Sequence, residues 1–325
     1  MKKNIFKLSF LLLILFFFSC KKDSNVFVPN NGEQLDSAWS SNITSSNQVL
    51  ILSKNLESSF TSETLTSEKD TVISNSTGFQ IILPSGSFLL NGVAITQNIK
   101  VEYKLIQNKG DFINYGIPTV SNRIPLESGG ALFIRITSNG QPVTLKTNKK
   151  MVIRYTDTNL KQGMQVYYGN ELTVTNSLNY NWVLATDSSN VKLWEYTNVT
   201  PALKGYIVEV FKQGWVNVDK VLETGQPKVE IKAVLPDLFS NANTAVYMVF
   251  KNYRTVVQLS GNLSTRTFIA PNIPANQTVK MIAISKVGNS YYLGVKDEIT
   301  ATNLVSFIKP ELSSLASIQA YLKTL

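Results

Sequence analysis

From Thr71 onward, apolar residues recur at every second position in short runs, and that period is the signature of strands. Ile99, Val101, Tyr103 and Leu105 alternate with Lys100, Glu102 and Lys104. Leu132, Ile134 and Ile136 alternate with Phe133, Arg135 and Thr137, and Met151, Ile153 and Tyr155 with Val152 and Arg154. Asn91-Gly92 and Asn139-Gly140 sit between such runs, and Asn-Gly supplies the two left-handed residues that a tight hairpin needs. The second half continues in the same style, with strands expected over 206–211, 228–235, 245–250, 256–259, 279–285 and 291–295, the last two joined at Gly288-Asn289. Short strands at this spacing, without helical runs between them, predict an all-β chain built as sandwiches or barrels, of which two or more sandwich-like domains are the expected form.

Two segments break the pattern. Between Glu33 and Phe60, Leu35/Ala38/Trp39 and Leu52/Leu56 have helical spacing, so one or two short helices are expected there. At the other end, Leu312, Leu315, Ile318, Leu322 and Leu325 recur every three or four residues after Pro310-Glu311, which reads as an amphipathic helix with proline in its first turn. With 325 residues, the chain exceeds one small core. The expected division is a leader over 1–19, a linker over 20–32, a helical or irregular segment over 33–65, and one β-sandwich over 66–160. A second β-rich domain follows over 161–309 and a helix over 310–325. The inner boundary is placed where alternation lapses, between Asp157 and Gly169.

What is missing excludes chemistry. The chain has no histidine and one cysteine, Cys20. Ser-His-Asp and Cys-His catalysis need an imidazole, and zinc sites of the His/Cys type need both residue types. No catalytic residue, metal or cofactor is expected. Asp237, Asp297 and Glu298 are acidic, but no loop places aspartates at the alternating positions of a calcium loop. The formal charge of +9 is spread over scattered basic residues, in runs no longer than two, so no nucleic-acid stripe forms.

The first twenty residues address the chain. Lys2, Lys3 and Lys7 precede or flank an apolar run from Leu8 to Phe18 that is too short to span a bilayer. Phe17-Phe18-Ser19-Cys20 resembles a bacterial lipobox, which implies a signal removed after Ser19, a lipid on Cys20, and a membrane partner reached through that lipid. Lys21, rather than Asp, follows the cysteine, which favours the outer membrane. Cys20-Lys21-Lys22-Asp23 is similar to lipoproteins of Bacteroidetes, some of which are displayed on the cell exterior. Asp36-Ser37-Ala38 and Asp70-Thr71-Val72 match the Asp-Ser/Thr-apolar pattern that such bacteria O-glycosylate, which marks Ser37 and Thr71 as candidates.

Residues 78–155 resemble a ZU5-type β-sandwich. The resemblance rests on Gly78-Phe79-Gln80-Ile81-Ile82-Leu83-Pro84-Ser85-Gly86-Ser87-Phe88. Tyr115 to Thr119, Leu126 to Leu132 and Gly214 to Asp219 are similar to stretches of uncharacterised Bacteroidetes lipoproteins. The resemblance implies a fold given to protein contacts. Some ZU5 domains cut themselves at a His-Phe-Ser site, and a chain without histidine has no such site.

Candidate ligand contacts follow from residue type. Trp215, Asn217 and Asp219 are two apart, so in a strand they share one face. A Trp platform beside amide and carboxylate groups suits a sugar ring and its hydroxyls, while the same residues serve equally as a core Trp with polar neighbours. Trp182 and Trp194, with Tyr167 and Tyr168 nearby, are further candidate platforms. Glu127 lies in what reads as a Gly-rich turn beside Ser128, where its carboxylate would accept backbone N–H groups; a general-acid role, if it is desolvated, is the alternative. The expected function is a lipid-anchored envelope module that binds or scaffolds a protein or glycan partner. A glycan-binding role in nutrient uptake is one alternative. A carboxylate-based glycoside hydrolase is another, since any two acids can meet in space.

Overall fold

The computed structural model describes residues 39–169, 180–198 and 202–325. The chain is all-β and sandwich-like, with few helices. The expected strands form, and the Asn-Gly hairpins close as anticipated. Leu90 pairs with Val93 around Asn91-Gly92, and Ser138 with Gln141 around Asn139-Gly140, all four turn residues holding positive φ.

Two sheets enclose the first core. One runs in the order Thr61–Thr66, Asn98–Ile106, Ile124–Ser138, Gly214–Val221, Gln165–Gly169, Trp182–Leu184. The facing sheet runs Asn190–Tyr196, Leu203–Val210, Met151–Thr156, Gln80–Leu83, Thr71–Ser74. Alternation sends Leu132, Ile134, Ile136, Val216 and Val218 inward to meet Ile81, Ile153, Tyr155, Tyr206 and Val208.

The third large sheet orders Val305–Phe307, Lys228–Val234, Thr267–Pro274, Val256–Asn262, Thr244–Phe250, Thr278–Val287, Ser290–Ile299 and Glu311–Ser313. It curls around a core of its own that includes Ile231, Val246, Met248, Phe250, Phe268 and Met281. Ser306 Oγ donates to Glu298 Oε1 at 2.9 Å, tying the strand at one end of this order to the second-last.

A third core fills the space between the two sandwiches. Phe133, Ala131 and Trp215, on the outer face of the first sheet, meet Ala245, Tyr247, Val249, Ile282 and Ile284 of the third. Both sheets are therefore buried on both faces at their centre. This explains why Thr244–Phe250 is buried throughout and reads as an unbroken apolar run from Ala245. Three short helices seal the same core. Helix α1 (Gln48–Leu56) buries Val49, Leu50, Leu52 and Leu56. Helix α2 (Lys109–Asn114) buries Phe112 and Ile113. Helix α3 (Leu315–Leu322) buries Ile318 and Leu322.

Three expectations change in detail. The chain passes residue 160 without leaving the first sandwich. Gln165–Gly169 and Gly214–Val221 extend its first sheet, Asn190–Tyr196 and Leu203–Val210 its second, and Leu222 is the first fully buried residue of the next core. The lapse in alternation at 157–169 covers a connection over 157–164 and the strand that follows it, because periodicity reports exposure and carries no information on pairing. The C-terminal helix starts at Leu315, with Ser314 Oγ accepting from Ser317 N at 3.0 Å. Pro310 precedes an edge strand, Glu311–Ser313, where its missing N–H costs nothing. Of the first helical pattern, Leu35 and Ala38 lie outside the described residues, and Trp39 is not helical but packs on Phe268, with ring centroids 5.0 Å apart. Among the described residues no helix is long and apolar enough to cross a membrane.

Candidate functional site

Trp215, Asn217 and Asp219 share one face of Gly214–Val221, as their spacing requires, but that face is interior. Trp215 is enclosed by Phe133, Tyr115 and Phe60, at centroid distances of 5.1, 5.6 and 6.3 Å. Asn217 and Asp219 are fully buried. Ser128 Oγ donates to Asn217 Oδ1 at 2.8 Å, and Asn217 Nδ2 donates to Asp219 Oδ2 at 2.7 Å. Burial pushes the Asp219 carboxyl well above the usual carboxylate range, against the opposing pull of Ser128 and the Arg254 charge. Its Oδ1 has no hydrogen-bond partner, which fits a neutral acid better than a buried anion.

The neighbouring Glu-Ser-Gly-Gly segment is a β-bulge inside the strand Ile124–Ser138, not a turn. Ser128 pairs with Asp219 and Gly130 with Val218, leaving Gly129 as the extra residue. Gly130 holds φ +132°, and a Cβ at Gly129 would lie 3.0 Å from the Tyr206 ring. The bulge turns Glu127 away from the backbone amides expected for it. Its carboxylate sits between Lys161 Nζ at 3.1 Å and Lys220 Nζ at 3.6 Å.

The other tryptophans are also taken up by the protein. Trp182 is fully buried, stands edge-on to Tyr180 and donates Nε1–H to Pro118 O at 2.9 Å. Trp194 is half-buried. The Arg154 guanidinium lies 3.7 Å from its ring centroid, and its Nε1–H points to Tyr155 O. Tyr167 is buried, and Tyr168 bonds Ser189 at 2.6 Å. Two of the three ring platforms expected from sequence are thus closed to a ligand, and the third is covered on one face. Asp297 pairs with Lys280, and Glu298 with Lys296. Among the described residues no group of three metal-ligating side chains gathers. Thr71 opens a strand and donates to Lys69 O at 3.1 Å. Cys20 and Ser37 lie outside the described residues.

The space open to a ligand lies elsewhere. A cleft of about 750 Å³ separates the outer side of Val256–Asn262 and Thr267–Pro274 from the hairpin at Asn122-Arg123 and from Tyr180-Asn181. That volume is within the usual range for small-ligand sites, about 300–1,000 Å³. Asn122, Asn181, Gln258 and Asn262 line it with amides, Ser260 and Ser264 with hydroxyls, Arg123 with a cation and Glu230 with a carboxylate. Asn181 Oδ1 accepts from Asn122 N at 2.6 Å, which locks the hairpin tip to the start of Trp182–Leu184. Asn272 Nδ2 donates to Arg123 O at 3.2 Å. Gln258 Oε1 is buried and has no hydrogen-bond partner. None of these residues stood out in the sequence. They come from segments far apart in the chain, from Asn122 to Ser264, and single Asn, Gln and Arg residues carry no spacing signal.

Residues 130–240 match a family described as a protein of unknown function (DUF3575). The matched segment covers about a third of the chain and runs without a break across residue 160, as the first sandwich does. No curated protein and no solved structure matches the chain.

Proposed function

We propose that this chain is a lipid-anchored cell-envelope protein acting as a non-enzymatic binding module, whose ligand enters the cleft beside Gln258. The lining of that cleft carries the reading. Its polar groups are mostly amides and hydroxyls, and among the described residues that line it Glu230 is the one carboxylate. Glycoside hydrolysis draws on two carboxyl groups about 5–9.5 Å apart. Nucleophilic catalysis draws on a nucleophile with an adjacent base. A lining of neutral donors and acceptors favours holding a ligand over cutting it.

The leader ending at Ser19 and the lone Cys20 support the anchor, and Lys21 supports the outer membrane. The resemblance of residues 78–155 to ZU5-type sandwiches, and of several turns to Bacteroidetes lipoproteins, supports a module given to contacts. A glycan-binding part in nutrient uptake is the second reading. The amide lining of the cleft favours it, in place of the tryptophans that first prompted it.

Thermal melts of the detergent-solubilised lipoprotein against a panel of glycans and cell-surface proteins test the binding. A ligand at 100 times its Kd adds about 2.7 kcal/mol of stability. At least one class should raise Tm, and Asn181→Leu should remove the rise. A panel without any shift, or cleavage of a bound ligand, overturns the reading. Fatty-acid labelling in cells should mark the wild type and not Cys20→Ala; an unlabelled wild type overturns the anchor. Protease treatment of intact cells then decides between the exterior and the periplasmic face.

A further inference from the structure

We infer that the cleft takes an acidic saccharide, a short glycan carrying uronate carboxylates, with Arg123 as the carboxylate contact and Gln258 as a hydroxyl contact. The inference rests on the binding reading above and adds the ligand's chemical class.

Arg123 carries the anion argument. It occupies the second central position of a two-residue hairpin, with Ser121 paired to Ile124 around it. Asn122 and Arg123 hold φ of 49° and 63°. This geometry favours glycine at Arg123, so a side chain there is kept against the preference of the turn. Arg123 lines the cleft, and no carboxylate pairs with its guanidinium among the described residues. Glu230, the acid on the same cleft, instead lies 3.4 Å from Lys232. Arg123 therefore offers a planar, two-pronged donor to a carboxylate brought by the ligand.

Gln258 carries the hydroxyl argument. An amide oxygen withdrawn from water and left unpaired is costly, and a half-turn of the terminal amide would present that oxygen to a ligand O–H in the cleft and recover the lost hydrogen bond. Asn181 and Asn262 add amide N–H donors, since their oxygens already accept from Asn122 N and from the amides of Ser264 and Thr265. Val120, Ile269 and Pro271 supply apolar surface for the C–H face of a pyranose ring.

The test compares two probes of one shape. Trigalacturonate and its neutral counterpart trigalactose are titrated calorimetrically into the detergent-solubilised lipoprotein. The acidic trimer should bind at least about tenfold more tightly, the worth of one charge-assisted contact. Arg123→Gln should erase that difference. Gln258→Leu should weaken both trimers without lowering the thermal midpoint of the free protein, since its Oε1 has no protein partner to lose. Equal binding of the two trimers by the wild type overturns the acidic assignment and leaves the binding reading standing. Binding of neither overturns the saccharide class, and the wider panel then decides the binding reading alone. An Arg123→Gln variant that keeps the tenfold preference removes Arg123 from the site.

Discussion

Arg254 in the second sandwich closes on Asp157 in the first, with Nη1 2.7 Å from Oδ2 and Nη2 3.4 Å from Oδ1. The Asp157 side chain is 1% exposed and that of Arg254 20%. Backbone bonds from the same loop continue the junction, with Ser128 N donating to Arg254 O and Thr119 N to Val256 O. Arg254→Leu leaves a buried carboxylate without its cation. The expected loss is about 3–5 kcal/mol, read from chemical denaturation. The double variant Arg254→Leu/Asp157→Leu should recover part of it, and equal losses for single and double variants would refute the pairing.

Asp219 gives the protein a pH dependence of definite sign. Its carboxyl titrates well above the carboxylate range when folded, because burial disfavours the anion, and near 3.9 when unfolded. Above about pH 4 the folded state therefore holds a proton that the unfolded chain has released, and stability falls as pH rises. The fall is at most about 1.4 kcal/mol per pH unit and ends once pH passes the folded value. Asp219→Asn removes this slope. Urea midpoints of the two proteins should diverge from pH 4 upward, with the variant the more stable at neutral pH; parallel curves would mean that Asp219 is charged in the fold.

Gly110 and Leu322 meet without room for a side chain. A Cβ at Gly110 would lie 1.8 Å from the backbone oxygen of Leu322, so α2 and α3 touch through bare backbone. Gly110→Ala should force α3 off its seat and cost about 1–3 kcal/mol or more. Limited proteolysis should then release the C-terminal segment before the remainder unfolds, and an unchanged digestion pattern would contradict the contact.

The three tryptophans offered as ring platforms separate structure from binding. Trp215→Ala empties the space among Phe60, Tyr115 and Phe133 and should cost about 3–5 kcal/mol. Trp182→Phe loses the bond to Pro118 O and should cost about 1–3 kcal/mol, from an unpaired buried carbonyl. Trp194→Phe, half-exposed under Arg154, should cost least. None should change ligand affinity at the cleft at temperatures where the variant is folded. A loss of affinity in Trp194→Phe alone would restore that ring as a platform.

Legibility differed between fold and site. The strand Met151–Thr156 was readable because Met151, Ile153 and Tyr155 all face one core. The extent of Ile124–Ser138 was not, because its two faces meet two different cores and a bulge at Gly129 interrupts the period. The spacing of Trp215, Asn217 and Asp219 correctly placed them on one face. Whether that face met water or protein depended on Tyr247 and Ile282 arriving from the other sandwich.

The sequence by itself determined the strands, the Asn-Gly hairpins, the all-β class and the absence of imidazole chemistry, because each follows from residue type or from a period of two along a few neighbours. The tertiary structure decided that the first sheet continues past residue 160, that Trp182 and Trp215 are interior, and that Arg123, Asn181 and Gln258 share a cleft. Those outcomes depend on which distant strands pair and which faces are covered, and free energy of burial is a property of the assembled surface that no local pattern contains.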